Sequence, residues 1–131
     1  MKQECIFCKI IKKEIPCEQV YEDKDFLAFL DIEPVSDGHL LIVPKKHIVW
    51  MQEADDQTIS GIFKLAKKLM LAVKNGLPCD YVQLSIAGTD VPHFHVHLIP
   101  RYFNDGLPKF ATKKYQDGES KEVAKKIIAA L

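Results

Sequence analysis

No charge of one sign dominates this sequence. Lys plus Arg and Asp plus Glu number 18 each across 131 residues, which excludes a global field drawing the chain toward nucleic acid or an anionic membrane. Any phosphate bound here must be held locally. Long hydrophobic runs are also absent: HLLIV and the tail IIAAL fall far short of the roughly 20 residues that span a bilayer. In the opening stretch MKQECIFCKIIKKEIP charge resumes after a very short apolar run. That is not a secretory h-region, so a cytoplasmic location is expected. Repeats, low-complexity tracts and linkers are missing, and a single domain over residues 1–131 follows.

What is present divides into strands and helices. Phe7 to Glu14 suits a short helix that Pro16 forbids from continuing. Val20-Tyr21 and Phe26 to Ile32 read as a hairpin around the charged turn Glu22 to Asp25. His39 to Val43, ended by Pro44, has the near-continuous apolar character of a buried strand. Ile59, Ile62, Phe63, Ala66, Leu69, Met70 and Val73 recur at helical spacing, predicting one long helix from Asp56 to Asn75. Asp55 or Asp56 can cap its start, and Gly76 can take a left-handed cap before Leu77-Pro78. Tyr81 to Ala87 and Phe94 to Arg101 bracket Gly88-Thr89-Asp90 and suggest a second hairpin with a tight turn. Val123, Ile127, Ile128 and Leu131 predict a short C-terminal helix. The fold class is α+β, a mainly antiparallel sheet of about five strands with one long helix on a face.

Chemistry concentrates in His93-Phe94-His95-Val96-His97-Leu98, which holds three of the five histidines. In a strand, strict alternation puts the imidazoles on one face, their stems starting ~7 Å apart, and Phe94, Val96 and Leu98 on the other. That imidazole face is expected to open to solvent or substrate, close enough to share one ligand. Two chemistries fit: metal binding, since imidazole is the commonest ligand, and nucleophilic attack by a neutral ring whose other nitrogen is held as N–H. Spacing alone leaves both open. Cys5 and Cys8 form a C-x-x-C, half of a tetrahedral zinc site or a redox pair, although the redox motif normally opens a helix in a βαβ unit that is absent here. Cys17 and Cys79 read as ordinary thiols.

DVPHFHVHLIPR resembles the signature of the histidine triad (HIT) family, and CIFCKIIKKEIP and VYEDKDFLAFLDIEPVSDGHLLIVPKKH resemble that family in the same order. The likeness covers residues 5–103, leaving 104–131 as a tail, and is greatest to the Hint-like branch of nucleoside phosphoramidate and nucleotide hydrolases. The resemblance implies a HIT-like fold and an adenosine 5'-monophosphoramidase-like hydrolase or nucleotidyl transferase. His95 would attack the α-phosphorus of a purine nucleotide and form a covalent nucleotidyl-histidine. His97 would contact the phosphate or leaving group, and His39 would support the nucleophile. Asp31 matches the acid that holds the ribose, and Phe7, Ile10, Phe29 and Ile32 match the residues that sandwich the base. Cys5, Cys8, His47 and His93 match a structural zinc site not required for chemistry, and a homodimer is implied.

One departure stands just before the triad. Where Hint-like proteins carry A-G-Q-[ST]-V, this chain has AGTDV, so Thr89 replaces a glutamine and Asp90 a hydroxyl residue. Gly88 still lets backbone N–H groups approach a phosphate. Asp90 would repel one unless it points away or binds a histidine. The alternatives are a slow nucleotide-binding regulatory protein, a dinucleoside polyphosphate hydrolase, and a zinc hydrolase using the triad itself as ligands.

Overall fold

Alternation along the strands decides which side chains meet the long helix. The computed structural model describes residues 4–131, and the first three residues of the expected 1–131 domain lie outside the described residues. Strands β1 (Gln19–Glu22), β2 (Phe26–Leu30), β3 (Leu40–Pro44), β4 (Tyr81–Ser85) and β5 (Val96–Arg101) form one sheet in the order β1-β2-β3-β5-β4. Every neighbouring pair is antiparallel. Helices α1 (Ile6–Ile11), α2 (Asp56–Gly76) and α3 (Glu119–Ala129) complete the α+β fold implied by the sequence.

Helix α2 buries Ile62, Leu65, Ala66, Leu69 and Val73 against Ala28, Leu40, Ile42, Phe94, Val96 and Leu98. Each larger aliphatic side chain buried this way contributes roughly 1.5–3 kcal/mol. The Asp55 carboxylate starts the helix by accepting the Thr58 N–H at 2.7 Å, meeting one of the donors a helix start leaves unpaired. Residues of opposite parity, Leu27, Phe29, Leu41 and Val43, pack instead with Cys5, Phe7 and Ile10. Burial on both faces explains why β2 and β3 read as continuous apolar runs. Leu41 pairs with His97 across β3 and β5, so His97 belongs to this second face.

Local chemistry corrects three expectations. Helix α1 ends at Ile11, short of Glu14, because Lys13 turns left-handed at φ 67° and the Glu14 N–H bonds to the Lys9 carbonyl at 2.9 Å. That closure is the one glycine usually makes. Helix α2 keeps Gly76 within it and stops on extended Leu77, φ −130°, since the proline that follows disfavours a helical residue before it. The β4–β5 connection runs over residues 86–95 and is not a tight turn, so His93 and His95 precede the strand and only His97 lies within it. Helix α3 forms where its apolar spacing places it, but buries none of its residues.

Candidate active site and metal centre

Two clusters divide the three histidines. In the first, Cys5 caps α1 and Cys8 follows within that helix, so both sulfurs face the same side; the Cys8 N–H donates to Cys5 Sγ at 3.4 Å. His93 Nδ1 lies 3.4 Å from Cys5 Sγ and 3.6 Å from Cys8 Sγ, and His47 Nδ1 lies 3.2 Å from Cys8 Sγ. All four donor atoms fall within 4.8 Å of one another. Metal–ligand distances of about 2.3 Å for sulfur and 2.0–2.1 Å for nitrogen set the edges of a tetrahedron at about 3.3–3.8 Å. The donor set therefore fits a tetrahedral ion. His93 Nε2 donates to the Pro44 carbonyl at 2.8 Å, which leaves Nδ1 bare toward the sulfurs, the usual outer-sphere arrangement of a metal-binding imidazole. Burial holds His93 below the ordinary imidazole range, against the pull of its bond to the Pro44 carbonyl. Cys17 is half-buried, and Cys79 is buried within the α2 cluster.

The second cluster contains His95, His97 and His39. His95 Nδ1 lies 2.6 Å from the carbonyl of His93. A carbonyl only accepts, so Nδ1 carries the proton and Nε2 keeps its lone pair. His39 Nδ1 accepts the Val35 N–H at 3.0 Å, so its proton lies on Nε2, 2.9 Å from His97 Nδ1. His97 Nδ1 consequently accepts, and its Nε2–H remains a donor. Backbone groups at Val35 and His93 thus fix the tautomers by inference from the hydrogen-bond network. The result is a bare nitrogen on His95 beside an N–H on His97, with ring centroids 4.9 Å apart. Burial pushes both His39 and His97 below the ordinary imidazole range, opposed at His39 by Asp31 and at His97 by Asp90 and Asp31. The rings are therefore neutral at pH 7.

The same network argues against the triad as a shared metal site. Asp90, His95 and His97 lie close enough to ligate one ion. A metal on His97 Nε2 would require the proton on Nδ1, then on His39 Nδ1, where it would face the Val35 N–H. The three histidines do not share a ligand either, because His93 spends both nitrogens on the first cluster and Pro44.

The imidazole face does not open to solvent as expected. His95 is 1% exposed, with Phe7 edge-on at 5.0 Å between centroids. Its Nε2 is buried without a hydrogen bond among the described residues. Asp90 Oδ1 stands 3.3 Å from it without forming a hydrogen bond. Burial works to raise the Asp90 carboxyl, yet its own and Val91's backbone N–H groups and His95 together bring it below the usual range.

Among the other candidates, Asp31 follows β2, its N–H donating to the His39 carbonyl at 2.9 Å. Its Oδ1 accepts the Glu33 N–H, and Oδ2 lies 3.6 Å from His39 Nε2. Ile32 is 90% exposed, whereas Phe7, Ile10 and Phe29 are core residues under α1. Gly88 is left-handed at φ 87° and lies against the Trp50 ring, while Thr89 is exposed. Sequence reasoning missed Ser85, which pairs with His97 across β4 and β5 and lies 3.0 Å from Gln83 Nε2. Only the correct register of that hairpin would have found it.

The HIT domain family matches residues 12–104 of this chain. The chain belongs to the HIT family. A fission yeast relative, the adenosine 5'-monophosphoramidase hnt1 of Schizosaccharomyces pombe, is 44% identical over 101 residues, 74% of each chain. A HIT family protein from Bacillus anthracis superposes with a TM-score of 0.87 at 36% identity, covering 100% of this chain and 99% of that one. A Zn-bound histidine triad family protein from Mycobacterium smegmatis superposes at 0.77 and 28% identity over 98% and 99%. In this HIT protein the Cys5, Cys8, His47 and His93 group is the candidate for such an ion. Among the described residues no helix is long and apolar enough to cross a membrane.

Proposed function

We propose that this HIT protein hydrolyses purine nucleoside phosphoramidates and related nucleotides at the α-phosphorus through a nucleotidyl-His95 intermediate. One observation carries the reading: the 2.6 Å bond from His95 Nδ1 to the His93 carbonyl bares Nε2 beside the His97 N–H donor. Nε2 attacks phosphorus, the P–N bond breaks, and the amine leaves with a proton from solvent. Water then attacks the phosphorus, the P–Nε2 bond breaks, the nucleotide departs, and the proton given up by water balances the first. His97 Nε2–H bonds a phosphoryl oxygen where charge grows, and His39 holds His97 in that tautomer. Asp31 accepts the ribose hydroxyls, and exposed Ile32 offers an apolar surface to the base, backed by Phe7, Ile10 and Phe29. Gly88 and Thr89 border the phosphate.

Cys5, Cys8, His47 and His93 are assigned to a structural zinc. With four protein ligands, such an ion ties α1 to the end of β3 and supplies no catalytic water. A homodimer along the open edge of β4 is supported by exposed Leu71, Tyr81 and Phe103, the last two rings stacked with centroids 6.0 Å apart.

The test is turnover of adenosine 5'-phosphoramidate by wild type and His95→Gly, together with AMP binding. Wild type should turn over and retain radiolabelled adenylate after denaturation; the variant should do neither yet still bind AMP. Turnover by His95→Gly would overturn the reading. The Asp90 contact favours a second reading, a nucleotide-binding protein with slow turnover, which wins if wild type binds AMP and hydrolyses no nucleotide amide or anhydride.

A further inference from the structure

We propose that Asp90 selects the leaving group by charge, admitting amines and disfavouring phosphate-type anions. The inference rests on the hydrolase reading above. An attacking nitrogen needs phosphorus about 3–3.5 Å away and the leaving atom in line beyond it. Asp90 Oδ1 already lies 3.3 Å from His95 Nε2. A bound phosphoryl group must displace this carboxylate, whose side chain is open to solvent but whose backbone stays in place. On one side Gly88 is lodged against Trp50, where an added Cβ would come within 3.1 Å of the ring. On the other, Val91 packs into the cluster under α1, and its carbonyl accepts the His93 N–H at 2.8 Å. With its backbone held at both sides, Asp90 can swing its side chain aside and still border the path of the departing group.

The surrounding charges do not neutralise it. Among the described residues neither Asp90 nor Asp31 pairs with a lysine or arginine, and the His95 nitrogen beside Asp90 is bare. His39 and His97 are neutral, so two carboxylates flank a site with no fixed cation among these groups. A pyrophosphate or nucleotide leaving group brings further negative charge past Asp90, where the partly exposed carboxylate repels it. An amine departs neutral and becomes an ammonium ion in water, which the carboxylate attracts. Charges bordering a partly closed site shift rates by about ten- to a hundredfold, less at high salt.

The experiment compares kcat/KM for adenosine 5'-phosphoramidate with that for diadenosine tetraphosphate in wild type, Asp90→Asn, Asp90→Ser and Asp90→Glu. The ratio of the two is the readout, whatever happens to either rate alone. Asp90→Asn and Asp90→Ser should move it about ten- to a hundredfold toward the anhydride, Asp90→Glu should retain the wild-type ratio, and added salt should shift wild type toward the neutral variants. A ratio constant within twofold across all four proteins overturns the proposal while leaving the hydrolase reading intact. Absence of turnover on both substrates in wild type overturns the hydrolase reading and the proposal with it.

Discussion

His39 Nε2 stands 2.9 Å from His97 Nδ1, and this bond, set by the Val35 N–H behind it, determines which nitrogen of His97 carries the proton. Replacing His39 by Ala leaves a buried acceptor on His97 unmet. The expected cost is about 1–3 kcal/mol of folding stability and about 10²-fold in turnover through loss of the aligned donor. His39→Gln, which can still donate, should recover part of both. Urea denaturation with single-turnover kinetics checks the pair of effects; equal turnover for Ala and Gln variants would count against an orienting role.

Acid should weaken the fold earlier than carboxylates alone would dictate. Burial depresses His39 and His97 from their ordinary value of 6.5. The unfolded chain therefore binds these two protons at higher pH than the folded one does. The stability held in their neutral forms is complete above about pH 6.5 and is lost as pH falls through their folded values. Urea midpoints at pH 7.5 and 5.5 should differ in that direction, and His39→Gln should shrink the difference. A midpoint independent of pH over this window would contradict it.

Asp31 is expected to act through the sugar. Asp31→Ala should raise KM for a ribonucleotide amide by about ten- to a hundredfold, the worth of a charge-assisted hydrogen bond pair. It should also erase the preference over the 2'-deoxy substrate. Steady-state kinetics on both sugars measures this, and persistence of the ribose preference would remove Asp31 from the role.

Purified protein should hold one zinc per chain, and Cys8→Ser should lose it. Because the ion binds only the folded arrangement, its removal should lower the unfolding temperature. Turnover of the protein still folded should persist, since the ligands are separate from His95 Nε2. Zinc-free wild type, by elemental analysis, would end the assignment.

Much of the fold was legible because hydrophobic period and element type agree. Ile62, Ala66, Leu69 and Val73 marked the buried stripe of α2, and Phe94, Val96 and Leu98 marked the face of the sheet that meets it. The hairpin register was not legible, because Gly88-Thr89-Asp90 looks like a tight turn while Pro92 and the demands of the His93 ring lengthen the connection to 86–95. The alternation of three histidines was visible, whereas their division followed only from the resemblance of the surrounding motifs to the HIT family and not from spacing. It depends on carbonyls at Pro44 and His93 and the N–H of Val35, and backbone groups carry no side-chain signature. Likewise, the spacing of Val123, Ile127 and Ile128 announces a helix but cannot say whether anything covers it.

The chain has a single tryptophan, Trp50, and its ring lies against Gly88, two residues from Asp90. Its indole emission is therefore an optical gauge built into the loop that borders His95. A nucleotide that displaces the Asp90 carboxylate shifts a negative charge near that ring, so binding can be followed by tryptophan fluorescence in the unlabelled protein, on the millisecond scale at which loops move.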